Sequence, residues 1–122
     1  MRLRSLFSLA IAASSITGTT HAADDIDFNR DVRPILSDLC FTCHGPDANT
    51  REAEVRLDQE AAVFAKRDTP LIVRGKPLES ELIRRILSSD DDERMPPPES
   101  KKQPTAAQKA TLQSWIEQGA KW

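Results

Sequence analysis

From residue 28 onward, apolar residues recur at helical intervals and do not alternate as in a strand. Phe28, Val32, Ile35, Leu36 and Leu39 share one helical face that runs directly into Cys40. Asp31 is an N-cap type, and Pro34 then falls in the first turn, where a missing N–H costs nothing. A second, short helix is expected after Asp58, another N-cap type, through Ala61, Ala62, Val63 and Phe64. A third should begin near Pro77, with Leu78, Leu82, Ile83, Ile86 and Leu87 turned inward. The last is the best delimited. Thr105 and Gln108 form a capping box, Leu112, Trp115 and Ile116 share a face, and Gly119 stops the helix. Between the third and last helices, Ser88 to Pro104 is first acidic and then proline-rich, which predicts a stiff, extended path. The pattern is that of an all-α chain without internal repeats.

The first segment departs from this pattern. Arg2 and Arg4 precede a mostly apolar run from Leu6 to Ile16, and Thr20-His21-Ala22 resembles a small-x-Ala cleavage site. Residues 1–22 are therefore expected to be a secretory signal peptide, with a periplasmic or otherwise exported domain at 23–122. The run is about half of the ~20 residues needed to span a bilayer, so no membrane span is expected in the mature chain.

Without the two leader arginines, fifteen basic residues face nineteen acidic ones, a formal charge of −4. That balance argues against nucleic acid, whose phosphates would be repelled. About 100 residues with few aromatics bury only a marginal core unaided. A bound apolar cofactor would supply the missing mass.

The chemistry concentrates in Cys40-Phe41-Thr42-Cys43-His44, which reads C-x-x-C-H. This is the attachment motif of a c-type haem: both thiols reach the vinyl groups of one porphyrin, and the histidine is placed beneath the iron. Other readings exist. A thioredoxin-like pair wants a βαβ pattern, which is not visible. A zinc site wants four ligands, and Cys40, Cys43 and His44 make three, two of them adjacent in sequence. A structural disulfide would leave His44 without a purpose. The chain has no other cysteine, and its second histidine, His21, lies in the leader.

Apart from the initiator, the one methionine is Met95, in Arg94-Met95-Pro96-Pro97-Pro98. Taken alone it is an exposed loop residue or a gap-filler. Beside a haem it becomes the candidate sixth ligand, on a loop stiff enough to hold a thioether against iron.

The chain resembles the planctomycete-type cytochrome c domain, within the mono-haem cytochromes c. The resemblance rests on Val32-Arg33-Pro34-Ile35-Leu36, the haem motif with Gly45-Pro46-Asp47, and Val55-Arg56-Leu57-Asp58. It continues in Ser80-Glu81-Leu82-Ile83-Arg84-Arg85, Met95-Pro96-Pro97 and Trp115-Ile116-Glu117-Gln118-Gly119-Ala120. It departs from the family at two places. Glu54 stands where a glycine often precedes the leucine-arginine-leucine-aspartate run, and Gly75-Lys76-Pro77 replaces glycine-aspartate-proline.

The resemblance implies a cytochrome c-like fold in which Phe28, Val32 and Leu36 on the first helix cross Leu112, Trp115 and Ile116 on the last. One covalent haem c would lie between Cys40–His44 and the Met95 loop. Cys40 and Cys43 would carry the thioethers, with His44 and Met95 as axial ligands. The implied function is one-electron transfer to a redox protein partner, without catalysis. The protein would be a free carrier or a small subunit. Two other functions share these residues: a haem sensor with a displaceable distal ligand, and a haem-stapled adaptor in a secreted oxidoreductase or hydrolase complex. Arg74, Arg84 and Arg85 are candidate partners for the haem propionates. The run Asp90-Asp91-Asp92-Glu93, just before Met95, is expected near the crevice rim, where it would meet a basic docking surface.

Overall fold

The computed structural model of the protein describes residues 24–122, and the regular structure in that span is helical throughout. The leader expected at 1–22 lies outside the described residues. The chain enters through a π-helical turn, Phe28–Val32, that passes directly into α1, Arg33–Leu39. Asp27, not Asp31, is the cap. Its carboxylate accepts from the Arg30 amide at 2.8 Å, while Asp31 accepts from the Asp27 amide at 2.9 Å. The helical run starts a turn earlier than expected because Phe28 is already part of it, and Asp31 becomes the reciprocal partner inside the first turn. Pro34 consequently sits within a continuous helical run. The wider turn before it closes with the Arg33 N–H donating to the Phe28 carbonyl. That geometry suits a residue with no N–H whose ring crowds the carbonyl four positions back.

The motif residues form a single turn, α2, Phe41–His44. Another single turn, α3, spans Glu60–Val63 and starts at Gln59. Asp58 does not cap it, because Arg56 engages that carboxylate through both Nε, at 3.0 Å, and a terminal nitrogen.

The third expected helix is broken in two. Pro77–Glu79 is a separate 3-10 turn, and α4 spans Glu81–Leu87. The break falls at Ser80, whose buried hydroxyl accepts from the Val73 amide at 2.8 Å and donates to the Lys76 carbonyl at 2.9 Å. Two of the five leucines and isoleucines expected inside are turned out, Leu78 on the separate turn and Leu87 at the end of α4. Leu78 is 78% exposed and Leu87 44%, whereas Leu82, Ile83 and Ile86 are buried.

From Ser88 to Pro104 the prolines leave only a 3-10 turn, Pro98–Ser100. The final helix, α5, is Ala106–Glu117, with both halves of the Thr105–Gln108 capping box formed. It stops at Gly119, whose φ of +106° is open to glycine and strained for other residues.

The core is one cluster in which Phe28, Val32 and Leu36 meet Leu112, Trp115 and Ile116. The expected crossing is made mainly through the Phe28–Val32 turn, where the Phe28 ring lies 5.6 Å from that of Trp115. Trp122 stacks on Phe28 at 4.0 Å, and the Trp115 indole N–H donates to the Lys121 carbonyl at 2.7 Å. The chain end is thus pinned over the α5 side of the core, which leaves the opposite side to the motif.

Candidate functional site

α1 delivers its last turn straight into the motif. The Cys40 amide donates to the Leu36 carbonyl at 2.8 Å, and the Cys40 carbonyl accepts in turn from the amides of Cys43, at 3.2 Å, and His44, at 2.8 Å. One helical turn therefore gathers both sulfurs and the imidazole, since residues three and four apart share a face. The returning chain is stitched to it: the Glu52 amide donates to the Cys43 carbonyl at 2.7 Å and the Leu57 amide to the His44 carbonyl at 2.8 Å. Gly45 is needed for space. A Cβ there would run into the Phe41 carbonyl, with the Phe41 Cβ only 2.9 Å away.

Both thiols are free and partly buried. Burial, with a smaller push from Cys43, raises the Cys40 thiol to about 12, so it is protonated at neutral pH. Burial also holds the His44 imidazole below its ordinary value, against the opposing pull of the Glu52 and Val55 carbonyls. A neutral imidazole keeps the lone pair that binds a metal. Its Nδ1 is buried without a hydrogen-bond partner among the described residues.

Cys40, Cys43 and His44 open onto a cavity of about 1050 Å³. Its walls are mainly apolar, from Leu39, Val55, Leu57, Leu71, Leu82 and Ile86, and Met95 and Pro96 complete them. All four sequence-predicted site residues thus line one space, although Met95 comes from a different part of the chain. Its loop is held from several directions. The Met95 amide donates to the Arg85 carbonyl at 3.2 Å, the Arg85 guanidinium to the Glu93 carbonyl at 3.3 Å, and the Gln103 amide group to the Pro96 carbonyl at 2.7 Å.

The charged residues are arranged otherwise than expected. Of Arg74, Arg84 and Arg85, Arg85 alone lines the cavity. Arg74 closes the C-terminal end of α5, donating to the Gly119 carbonyl at 3.0 Å and to the Ala120 carbonyl, and lies 3.7 Å over the Phe64 ring. Arg84 bonds Glu81 at 2.7 Å and Glu93 at 2.9 Å, on another face of α4. Arg67 and Lys102 line the cavity and were not anticipated, because each comes from an irregular segment without a periodic signal. None of Asp90, Asp91, Asp92 and Glu93 lines the cavity itself, although the Glu93 carbonyl accepts from the cavity-lining Arg85 at 3.3 Å. Of the run, Glu93 borders a separate groove beside α4, together with Ser89 just before the run.

The donor set and the space fit one large, flat, apolar group held at two sulfurs, with a nitrogen and a thioether available to its centre. They do not suit the other readings of the motif. Among the described residues no strand exists to build a thioredoxin-like unit, and no three His, Cys, Asp or Glu side chains converge to hold a metal ion. No helix among them is long and apolar enough to cross a membrane.

No curated protein and no solved structure matches the chain. Residues 40–99, which run from the first motif cysteine through the Met95 loop, match the family described as Planctomycete cytochrome C. The haem motif, the cavity and the all-helical fold agree with that match, and residues 40–99 are similar to a cytochrome c domain of the planctomycete type.

Proposed function

We propose that this domain is an exported mono-haem c-type cytochrome that carries single electrons between redox proteins. A covalently held haem supplies the one-electron chemistry. Cys40 and Cys43 would hold it through thioethers, His44 would supply a nitrogen to its iron, and Met95 would supply a sulfur, which favours the reduced metal. The observation that carries this reading is that these four side chains, from two separate segments, line a single apolar cavity. The neutral His44, kept so by burial, is ready to bind without first losing a proton. If both His44 and Met95 held the iron, they would leave it no position for a substrate, which suits a domain that passes electrons. Export is supported by the basic and then apolar leader at residues 1–22.

Replacing Met95 by Ala tests the ligation. The oxidised variant should lose the weak near-infrared sulfur-to-iron band and bind added imidazole or carbon monoxide, while keeping its covalent haem. A near-infrared spectrum identical to that of the parent would remove Met95 from the iron.

A further inference from the structure

The only large hydrophobic side chains exposed among the described residues are Leu78 and Leu87, and both border one groove with Ile83 at its floor. Leu78 stands on the 3-10 turn before α4, and Leu87 on the last turn of the helix itself. Exposed apolar groups gathered in one place commonly mark a binding surface. Here the surface has a specific relation to the haem cavity. Leu82, Arg85 and Ile86 line the cavity, whereas Ile83, Arg84 and Leu87 line the groove. At 100° per residue these sets occupy opposite faces of the same two-turn helix, so about one helix diameter, ~10 Å, separates the two sites.

The electrostatics of the groove select its occupant. Residues 78–93 hold six carboxylates against two arginines, more negative than the −2 of the whole chain. Both arginines are already engaged, Arg84 by Glu81 and Glu93 and Arg85 by Glu81. Asp91 is paired with Arg94, whereas Asp90 and Asp92 have no cationic partner among the described residues. Ser89 and Glu93 both border the groove, and the exposed Asp90 and Asp92 lie between them in the chain. An apolar floor with unneutralised acids beside it repels a second copy of this chain and attracts a partner of opposite pattern.

We infer that the outer face of α4 is the docking surface for the redox partner, a protein that presents an apolar side chain ringed by lysines or arginines. The inference rests on the electron-carrier reading and gives that reading a place of contact away from the cavity mouth. Leu78 and Leu87 supply the contact area, and the acids raise the rate of encounter. Redox complexes of this kind are small and transient, so two leucines and a charged edge are sufficient in scale.

The test is a nuclear magnetic resonance titration of the isotope-labelled chain, as isolated after export and fully reduced, with mitochondrial cytochrome c as a small basic redox probe at low ionic strength. Amide shifts should concentrate in residues 78–93. Leu78→Asn with Leu87→Asn should weaken binding at least five-fold, as should Asp90, Asp91 and Asp92 changed together to Asn. Because both leucines are exposed, these variants should keep the parent melting temperature. Electron exchange with the probe should slow by a similar factor, while reduction by ascorbate stays unchanged. Shifts centred on residues 40–44 and 100–102, or no shifts at tenfold excess of probe, would overturn the proposal. So would concentration-dependent shifts at Leu78 and Leu87 without the probe, which would assign the groove to a second copy. The map is read from backbone amides, so a chain that binds at α4 but exchanges no electrons would fail the carrier reading and leave the docking surface standing.

Discussion

The amide of Met95 donates to the carbonyl of Arg85 at 3.2 Å, which ties the thioether-bearing loop to the last turn of α4. The tie is reinforced by the same residue's side chain. The Arg85 Nε donates to Glu81 at 2.7 Å, and its terminal nitrogen reaches over to the Glu93 carbonyl at 3.3 Å. Glu81 holds Arg84 as well, through two bonds of 2.7 and 2.8 Å. The position of Met95 is therefore a property of α4 and its ion pairs as much as of its own proline-rich loop.

This network makes stability depend on acid. The hydrogen bond from Arg84, and then that from Arg85, hold the Glu81 carboxyl below its ordinary range in spite of burial. A carboxyl lowered on folding stabilises the fold above its unfolded value, and that contribution is lost as pH falls through the folded value. Glu81→Gln should cost about 1 kcal/mol at neutral pH. Thermal melts between about pH 5 and pH 3 should show the parent losing stability more steeply than the variant. Parallel pH profiles would mean that Glu81 contributes nothing through its charge.

Gly45 gives a steric prediction. Its φ of −129° is open to any residue, so the requirement is for room beside the Phe41 backbone. Gly45→Ala should destabilise by about 1–3 kcal/mol, as overpacking does at a site with no slack. For a domain of this size each 1 kcal/mol lowers the melting temperature by roughly 4–8 °C. A variant that melts with the parent would show that the α2 turn opens easily.

Glu54 gives the opposite sign. Ala53 and Glu54 are consecutive residues at φ of +54° and +53°, the left-handed region, and both are exposed. Holding a non-glycine residue there costs on the order of 1 kcal/mol. Glu54→Gly should therefore stabilise by about 0.5 kcal/mol, after the entropy that glycine adds to the unfolded chain. A lower melting temperature for this variant would mean that the Glu54 side chain makes a contact worth more than the strain.

Glu54 also illustrates how the sequence related to the structure. Its departure from the family's glycine was visible in the sequence, and the backbone at Glu54 is left-handed, a conformation that glycine adopts without strain. The motif turn, the capping box of α5, the stop at Gly119 and the core made by Phe28, Val32, Leu112 and Trp115 were legible because each depends on residues close in sequence or on a strong period. The break at Ser80 was not. It arises from a hydroxyl that bonds the Val73 amide and the Lys76 carbonyl, a tertiary arrangement that periodicity cannot express, and it turned Leu78 outward. The roles of Arg74 and Arg84 were hidden for the same reason. An arginine's partner is set by which carboxylates and carbonyls the fold brings near, here Glu60 and the α5 end for one and Glu81 with Glu93 for the other.

Covalent attachment through both Cys40 and Cys43 is the central claim, and the intact mass of the mature chain, exported with the haem maturation machinery, tests it most directly. The account predicts one haem added per chain, retained through acid–acetone extraction, and lost from covalent linkage when Cys40 and Cys43 are both changed to Ala. A mature chain carrying no haem adduct, or a porphyrin that extracts freely from the parent protein, would contradict it.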